Sequence, residues 1–251
     1  MKIVVIGGTG LIGKQVIATL QKLGHETVAA APSQGINAVT GEGLVLALKG
    51  AQVVVDVSNS PSFEAQDVMD FFTQSTRNLL AAEKVAGVSH HVALSIVGTD
   101  RIPGNAYFAA KVAQEKLIKS GLVPYSIVRA TQFFEFMGGI AYTGAQGEKV
   151  HLSTGNMQPI ASEDVAAAVA NAALGAPLNG TVEIAGPEKA PLAEFVIRYM
   201  KATGDARETV AGPQELYFGA PIETESLTPH GQVHLGAVRY DDWLAKNAKP
   251  Q

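Results

Sequence analysis

Lys2-Ile3-Val4-Val5-Ile6-Gly7-Gly8-Thr9-Gly10-Leu11-Ile12-Gly13 opens the chain and decides its fold. Lys2 to Ile6 is a short β-branched run of the kind that a parallel strand covered on both faces requires. Gly7, Gly10 and Gly13 then follow at three-residue intervals. One glycine permits the tight turn, one lets backbone N–H groups approach a pyrophosphate, and one lets the next helix pack closely on the strand. Behind them Ile12, Val16, Leu20 and Leu23 recur at helical spacing, and Gly24 stops the helix. Strand, turn and amphipathic helix together predict a dinucleotide site built from Gly7, Thr9, Gly10, Leu11, Ile12 and Gly13. The dipole of the helix favours the anion there.

The composition fits this reading. A chain of 251 residues with 47% apolar content holds one large domain, or a domain with a cap. A net charge of -4, spread along the sequence, provides no basic stripe for nucleic acid or an anionic membrane. The expected partner is a small-molecule substrate. Without cysteine there is no disulfide, thiolate metal site or cysteine nucleophile, which fits a reducing, cytoplasmic compartment. Met1-Lys2 leads straight into the strand, unlike a signal peptide, and Val165 to Leu174 is too short to span a bilayer.

Beyond the first helix, Glu26 to Ala31 reads as a strand ending at Pro32-Ser33-Gln34-Gly35. An acidic residue in that window normally holds the ribose hydroxyls of NAD. Ser33 and Gln34 stand there instead, and the missing carboxylate favours NADP over NAD. No arginine follows the strand, and Lys14 is the near cation. The run Val53-Val54-Val55 marks another buried strand, which places Ser58 and Asn59 at the carboxyl edge of the sheet, where ligands bind in open α/β folds. A helix over roughly 63–86, a strand over 91–96, a helix from Tyr107 to Gly121 and a strand over 125–129 continue the alternation. Repeated βα units predict a doubly wound parallel sheet.

Three residues of this stretch carry chemistry. Lys111 lies one helical turn beyond Tyr107 on the same face, and Ser95 ends a strand 12 residues before Tyr107. Past Thr131 the pattern loosens: Phe133, Phe134, Phe136 and Met137 form an apolar cluster that reads as a substrate wall. Ser162 opens a helix, a strand returns over 181–185, and Leu192 to Thr203 is a helix. The tail reads as an irregular cap. One domain over 1–251 is expected, with a dinucleotide-binding core over about 1–130 and a capping region over about 131–160 plus 205–251.

The glycine turn, the Ser/Tyr/Lys set, Val123-Pro124-Tyr125, Ser162-Glu163-Asp164-Val165-Ala166 and Ile184-Ala185-Gly186-Pro187-Glu188 together resemble the short-chain dehydrogenase/reductase superfamily. They are most similar to its atypical NmrA-like branch. The resemblance implies a Rossmann fold and a catalytic set of Tyr107 as general acid or base, Lys111 beside it and on the nicotinamide ribose, and Ser95 on the substrate oxygen. It departs from the branch in having the tyrosine, which many members lack. A neighbouring lysine would bring a phenol, which ordinarily titrates near about 10, towards neutrality.

The reading that follows is an NAD(P)-dependent oxidoreductase transferring a hydride to a carbonyl, quinone or similar small apolar substrate. Its rival is a non-catalytic NADP-binding redox sensor; an epimerase or dehydratase acting on a sugar nucleotide would need a larger lobe. His90 and His91, adjacent on a strand, point to opposite faces, and no histidine has ligand spacing, so no metal is expected.

Overall fold

The computed structural model describes residues 1–249. Its first half alternates β1 (Lys2–Ile6), α1 (Leu11–Lys22), β2 (Glu26–Ala30), α2 (Leu44–Leu48), β3 (Val53–Asp56), α3 (Ala65–Ala86), β4 (His90–Ile96), α4 (Ala106–Ser120) and β5 (Tyr125–Ala130). Then come α5 (Met137–Thr143), β6 (Ala145–Gln146), β7 (Lys149–Ser153), β8 (Asn156–Met157), α6 (Ser162–Leu174) and β9 (Gly180–Ala185). The chain continues through β10 (Ala190–Pro191), α7 (Leu192–Thr203), β11 (Glu208–Gly212), β12 (His234–Leu235) and α8 (Tyr240–Asn247).

Seven strands form the main sheet in the order β12-β9-β5-β4-β3-β1-β2. β1 pairs in parallel with both β2 and β3, and β3 with β4. This is the doubly wound parallel sheet that the βα repeat predicts. Because β1 lies between β2 and β3, the winding reverses there, and a crevice opens at the carboxyl ends of β1 and β3.

The glycine turn fills the end of that crevice. Gly7 has φ +77°, and a Cβ on it would lie 2.8 Å from Ser58 Cα, so the turn seats directly on the end of β3. Gly13 faces back from α1 onto the turn. A side chain there would collide with the carbonyl oxygen of Gly7 and stand 2.7 Å from Gly8 Cα.

Contacts divide the chain into two units: residues 1–95, 106–129 and 165–182, and residues 96–105, 130–164 and 183 onward. Within the first unit, β4 presents His90 and His91 to different partners, as adjacent strand residues must. His90 meets Ser126 Oγ at 2.8 Å, and His91 Nδ1 meets Glu83 Oε1 at 2.8 Å, both fully buried. Among the described residues no helix is long and apolar enough to cross a membrane.

The second unit differs from its sequence reading. The stretch expected to be loose contains β7, antiparallel to β6 and parallel to β11. The tail expected to be irregular ends in α8. Tyr240 is fully buried, 4.9 Å from the Phe134 ring and 5.3 Å from Phe195, and donates its hydroxyl to the Phe195 carbonyl at 3.0 Å. A few large aromatics hold this region. Such anchors leave no period for a sequence reading to find.

Two measurements test these contacts. Burial alone would lower the pKa of His91, but the charge and hydrogen bond of Glu83 outweigh it and hold the pKa above the ordinary value. The stability this contributes is complete below about pH 6.5 and is lost as pH rises through the folded pKa. Thermal melts across pH should show that decline in wild type and a flattened one in His91→Gln, which also costs about 3 kcal/mol by removing the ionisable partner of the buried Glu83. Gly13→Ala should push α1 off β1 at a cost of about 1–3 kcal/mol, read by denaturant unfolding, and weaken dinucleotide binding as well.

Candidate active site

α1 begins at Gly10 without a side-chain cap, and its first turn carries no acidic residue. The N–H groups of this end are therefore left for an anion. The expected residues Gly7, Thr9, Gly10, Leu11, Ile12 and Gly13 fall on this turn and the start of α1. Gly8 belongs with them, since its Cβ would lie 2.8 Å from both Ala29 Cα and Val5 O. The consecutive pair Gly7-Gly8 was the available signal. A shallow groove of about 320 Å³ continues from the turn, lined by Gly8, Thr9, Lys14, Ile17, Ala18, Gln21 and Ala29. A dinucleotide phosphate group fits this uncapped end, whose tight backbone packing leaves no room for a side chain at Gly7, Gly8 or Gly13. Ser33 is exposed in a short helical turn after β2.

The loop after β3 joins this turn to α4. Ser58 donates its backbone N–H and its hydroxyl to Asp56 Oδ1 at 3.0 and 2.6 Å. Asn59 Oδ1 accepts the phenol of Tyr107 at 2.7 Å and the N–H of Ser60 at 2.9 Å. Gly7, Ser58, Asn59 and Tyr107 are thus brought together as a continuous path.

Ser95 and Lys111 take other directions. The Ser95 hydroxyl donates to Glu115 Oε1 at 2.7 Å, and the same carboxylate holds Arg129 at 2.8 Å and Lys119 at 2.9 Å. Burial would raise the Glu115 pKa, but these hydrogen bonds bring it down to about 2. A carboxylate so firmly ionised fixes the Ser95 hydroxyl, so the expected role of Ser95 on a substrate oxygen does not match its position. Lys111 is buried and donates to the Leu94 carbonyl at 2.8 Å and to Gln114 Oε1. Its ammonium also lies 4.4 Å over the Phe72 ring. Gln114 passes the contact on to Asp56 Oδ2 at 3.0 Å.

The electrostatics differ from expectation for the same reason. Burial lowers the pKa of Lys111 to about 8 against the opposing charges of Asp56 and Glu115. Burial also raises the pKa of Tyr107, whose ring packs edge-on against Phe72 at 5.6 Å. The expected lowering of the phenol by Lys111 is replaced by a rise. Helical spacing puts the two residues on one face, but the ammonium turns into the Asp56–Gln114 network and spends its donors there. Asp56, the one carboxylate at the end of an apolar run, was the signal for that network.

In the second unit, the expected substrate wall divides. Phe134 and Met137 are fully buried, with Phe134 packed on Tyr240 and on Trp243 at 5.7 Å, so they belong to the core. Phe133 and Phe136 stack on each other at 5.2 Å, and Phe136 is half exposed.

A family model described as NAD(P)H-binding matches residues 7–175. The chloroplastic divinyl chlorophyllide a 8-vinyl-reductase of Oryza sativa subsp. indica is 30% identical over 223 residues, covering 75% of this chain and 55% of that protein. The photosystem II assembly factor Ycf39 of Synechocystis sp. is 26% identical over 184 residues, covering 66% of this chain and 56% of that protein. The chain therefore spans little more than half the length of these curated relatives. Among solved structures, a short-chain dehydrogenase/reductase superfamily protein from Agrobacterium tumefaciens with bound NAD superposes with a TM-score of 0.71 at 18% identity, covering 98% of this chain and 95% of that one. The family match begins on Gly7 of the turn itself and runs through more than half of the sequence; this chain belongs to the NAD(P)H-binding family, as a Rossmann-type domain.

Proposed function

We propose that the chain is an NADP-dependent oxidoreductase that reduces a small, largely apolar carbonyl or quinone compound, with Tyr107 as proton donor. The observation that carries this reading is the path from Gly7 through Ser58 and Asn59 to the Tyr107 phenol. It links the glycine turn to a half-buried proton donor within one unit. The bound cofactor supplies a hydride. The acceptor carbon gains that hydride, and its oxygen gains one proton.

A phenol whose pKa is raised by burial keeps its proton throughout the working range. It donates to a developing alkoxide, a stronger base than phenolate, and serves poorly as a base in the reverse direction. Asn59 Oδ1 holds the phenol in place until the acceptor oxygen takes over as its partner. Lys111, through Leu94 and Gln114, fixes the helix face that carries Tyr107.

Lys14 supplies the positive charge of the groove beside the turn, and no carboxylate follows β2, which supports NADP. Ser33 would meet the adenosine ribose. Titration by ligand fluorescence should give tighter binding for NADPH than for NADH. Lys14→Ala should cost about tenfold in NADPH affinity and leave NADH unchanged, since only one carries the 2′-phosphate.

The rival, a non-catalytic NADP-responsive regulator, is favoured by the engagement of the Ser95 hydroxyl with Glu115. Its relative Ycf39 is named as an assembly factor. Tyr107→Phe separates the two: an enzyme should lose about 10²-fold or more in kcat with NADPH affinity kept. Wild-type protein that binds NADPH and reduces no aldehyde, ketone or quinone would favour the regulator.

A further inference from the structure

Gln132 follows the end of β5 by two residues, and its main chain is fixed. Its carbonyl accepts the N–H of Ile160 at 2.9 Å, and the neighbouring Phe134 N–H reaches the Ile160 carbonyl at 2.9 Å. Thr131 is tied to the Gln158 carbonyl through its hydroxyl at 2.7 Å. The carboxamide of Gln132 is different. The residue is only 6% exposed, yet neither Nε2 nor Oε1 has a hydrogen-bond partner.

The contrast within the chain is sharp. Gln114, equally buried, has both ends of its amide satisfied by Lys111 and Asp56. Gln158 donates to the Gly186 carbonyl at 2.8 Å. Burying an unpaired amide is costly, and methionine fills the same volume without that cost. A second unpartnered group lies close by in the topology. Val97 N–H bonds the Ala130 carbonyl at 2.9 Å, and Thr99, two residues beyond Val97, has a buried hydroxyl without a partner. Both groups therefore sit past the carboxyl ends of adjacent strands, the ligand-binding edge of an open α/β sheet.

We infer that Gln132 is a ligand-binding residue of the second unit, and that it selects a planar molecule with a hydrogen-bond acceptor and a donor side by side, such as a cyclic amide or imide fused to a ring. Nε2–H donates to the ligand carbonyl, and Oε1 accepts the ligand N–H. Thr99 adds a hydroxyl to the same polar edge. This goes beyond the reductase reading, and the binding claim does not need the cofactor.

Isatin and N-methylisatin make the test, because they share a planar ring and the lactam carbonyl and differ at the lactam nitrogen, N–H in one and N–CH3 in the other. Wild type should bind isatin about tenfold more tightly than its N-methyl analogue, the worth of one well-placed hydrogen bond. Gln132→Met should erase that preference, leave NADPH affinity unchanged, and melt higher than wild type without ligand by about 2–4 °C, because an unpaired polar group has been removed. Gln132→Glu, which keeps the acceptor and loses the donors when ionised, should also lose isatin.

A Gln132→Met protein that melts lower assigns the carboxamide a structural role and overturns the proposal. So does a variant that keeps the isatin preference, one that loses NADPH instead, or a wild type indifferent between the two probes. Absence of NADPH binding to wild type would sink the reductase reading alone. Calorimetric isatin binding and the ligand-free melts would then decide the role of Gln132.

Discussion

The contact on which the rest depends is the approach of α1 to β1 at Gly13, where helix backbone meets the carbonyl of Gly7 with no room for a methyl group. That closeness aims the uncapped end of α1 at the crevice between β1 and β3. A wider helix would leave the N–H groups too far from any phosphate to form hydrogen bonds. Gly7 completes the arrangement by seating the turn on Ser58. The loop after β3 then takes its position from the turn, and Asn59 carries that position to Tyr107.

A second constraint is the burial of charge in the same unit. Lys111, Gln114, Asp56 and Ser58 form a connected set of donors and acceptors beneath the site, and Ser95, Glu115, Arg129 and Lys119 form another. Connected sets of this kind rigidify a core when every member is paired. They also explain why a Tyr-x-x-x-Lys spacing alone does not yield a lowered phenol. Here the Lys111 ammonium donates to the Leu94 carbonyl and to Gln114, which in turn bonds Asp56.

The fold was legible because its signals are local. The strand, the glycine spacing and the periodic apolar face of α1 each lie within a dozen residues, and Leu192–Thr203 was bounded correctly by its pattern alone. Of the candidate site, the sequence pointed to the turn, Asn59 and Tyr107, which the fold brings near one another. What stayed hidden depends on distant partners. Ser95 and Glu115 are 20 positions apart, Asp56 and Gln114 are 58 apart, and no periodicity reports such pairings. The split of the aromatic cluster was hidden for a related reason: Phe134 and Phe136 look alike in sequence, and only Tyr240 and Trp243 decide which of them is core.

That last dependence bears on how the chain is made. Phe134 leaves the ribosome roughly a hundred residues ahead of the tyrosine that will cover it, and contacts of such long range close slowly. Throughout that interval the Phe134 ring lacks the Tyr240 and Trp243 rings that pack on it in the finished fold. A nascent chain in this condition is a natural client for a holdase, and slowing translation between α7 and α8 would lengthen its exposure and lower the soluble yield without altering a single contact of the finished fold.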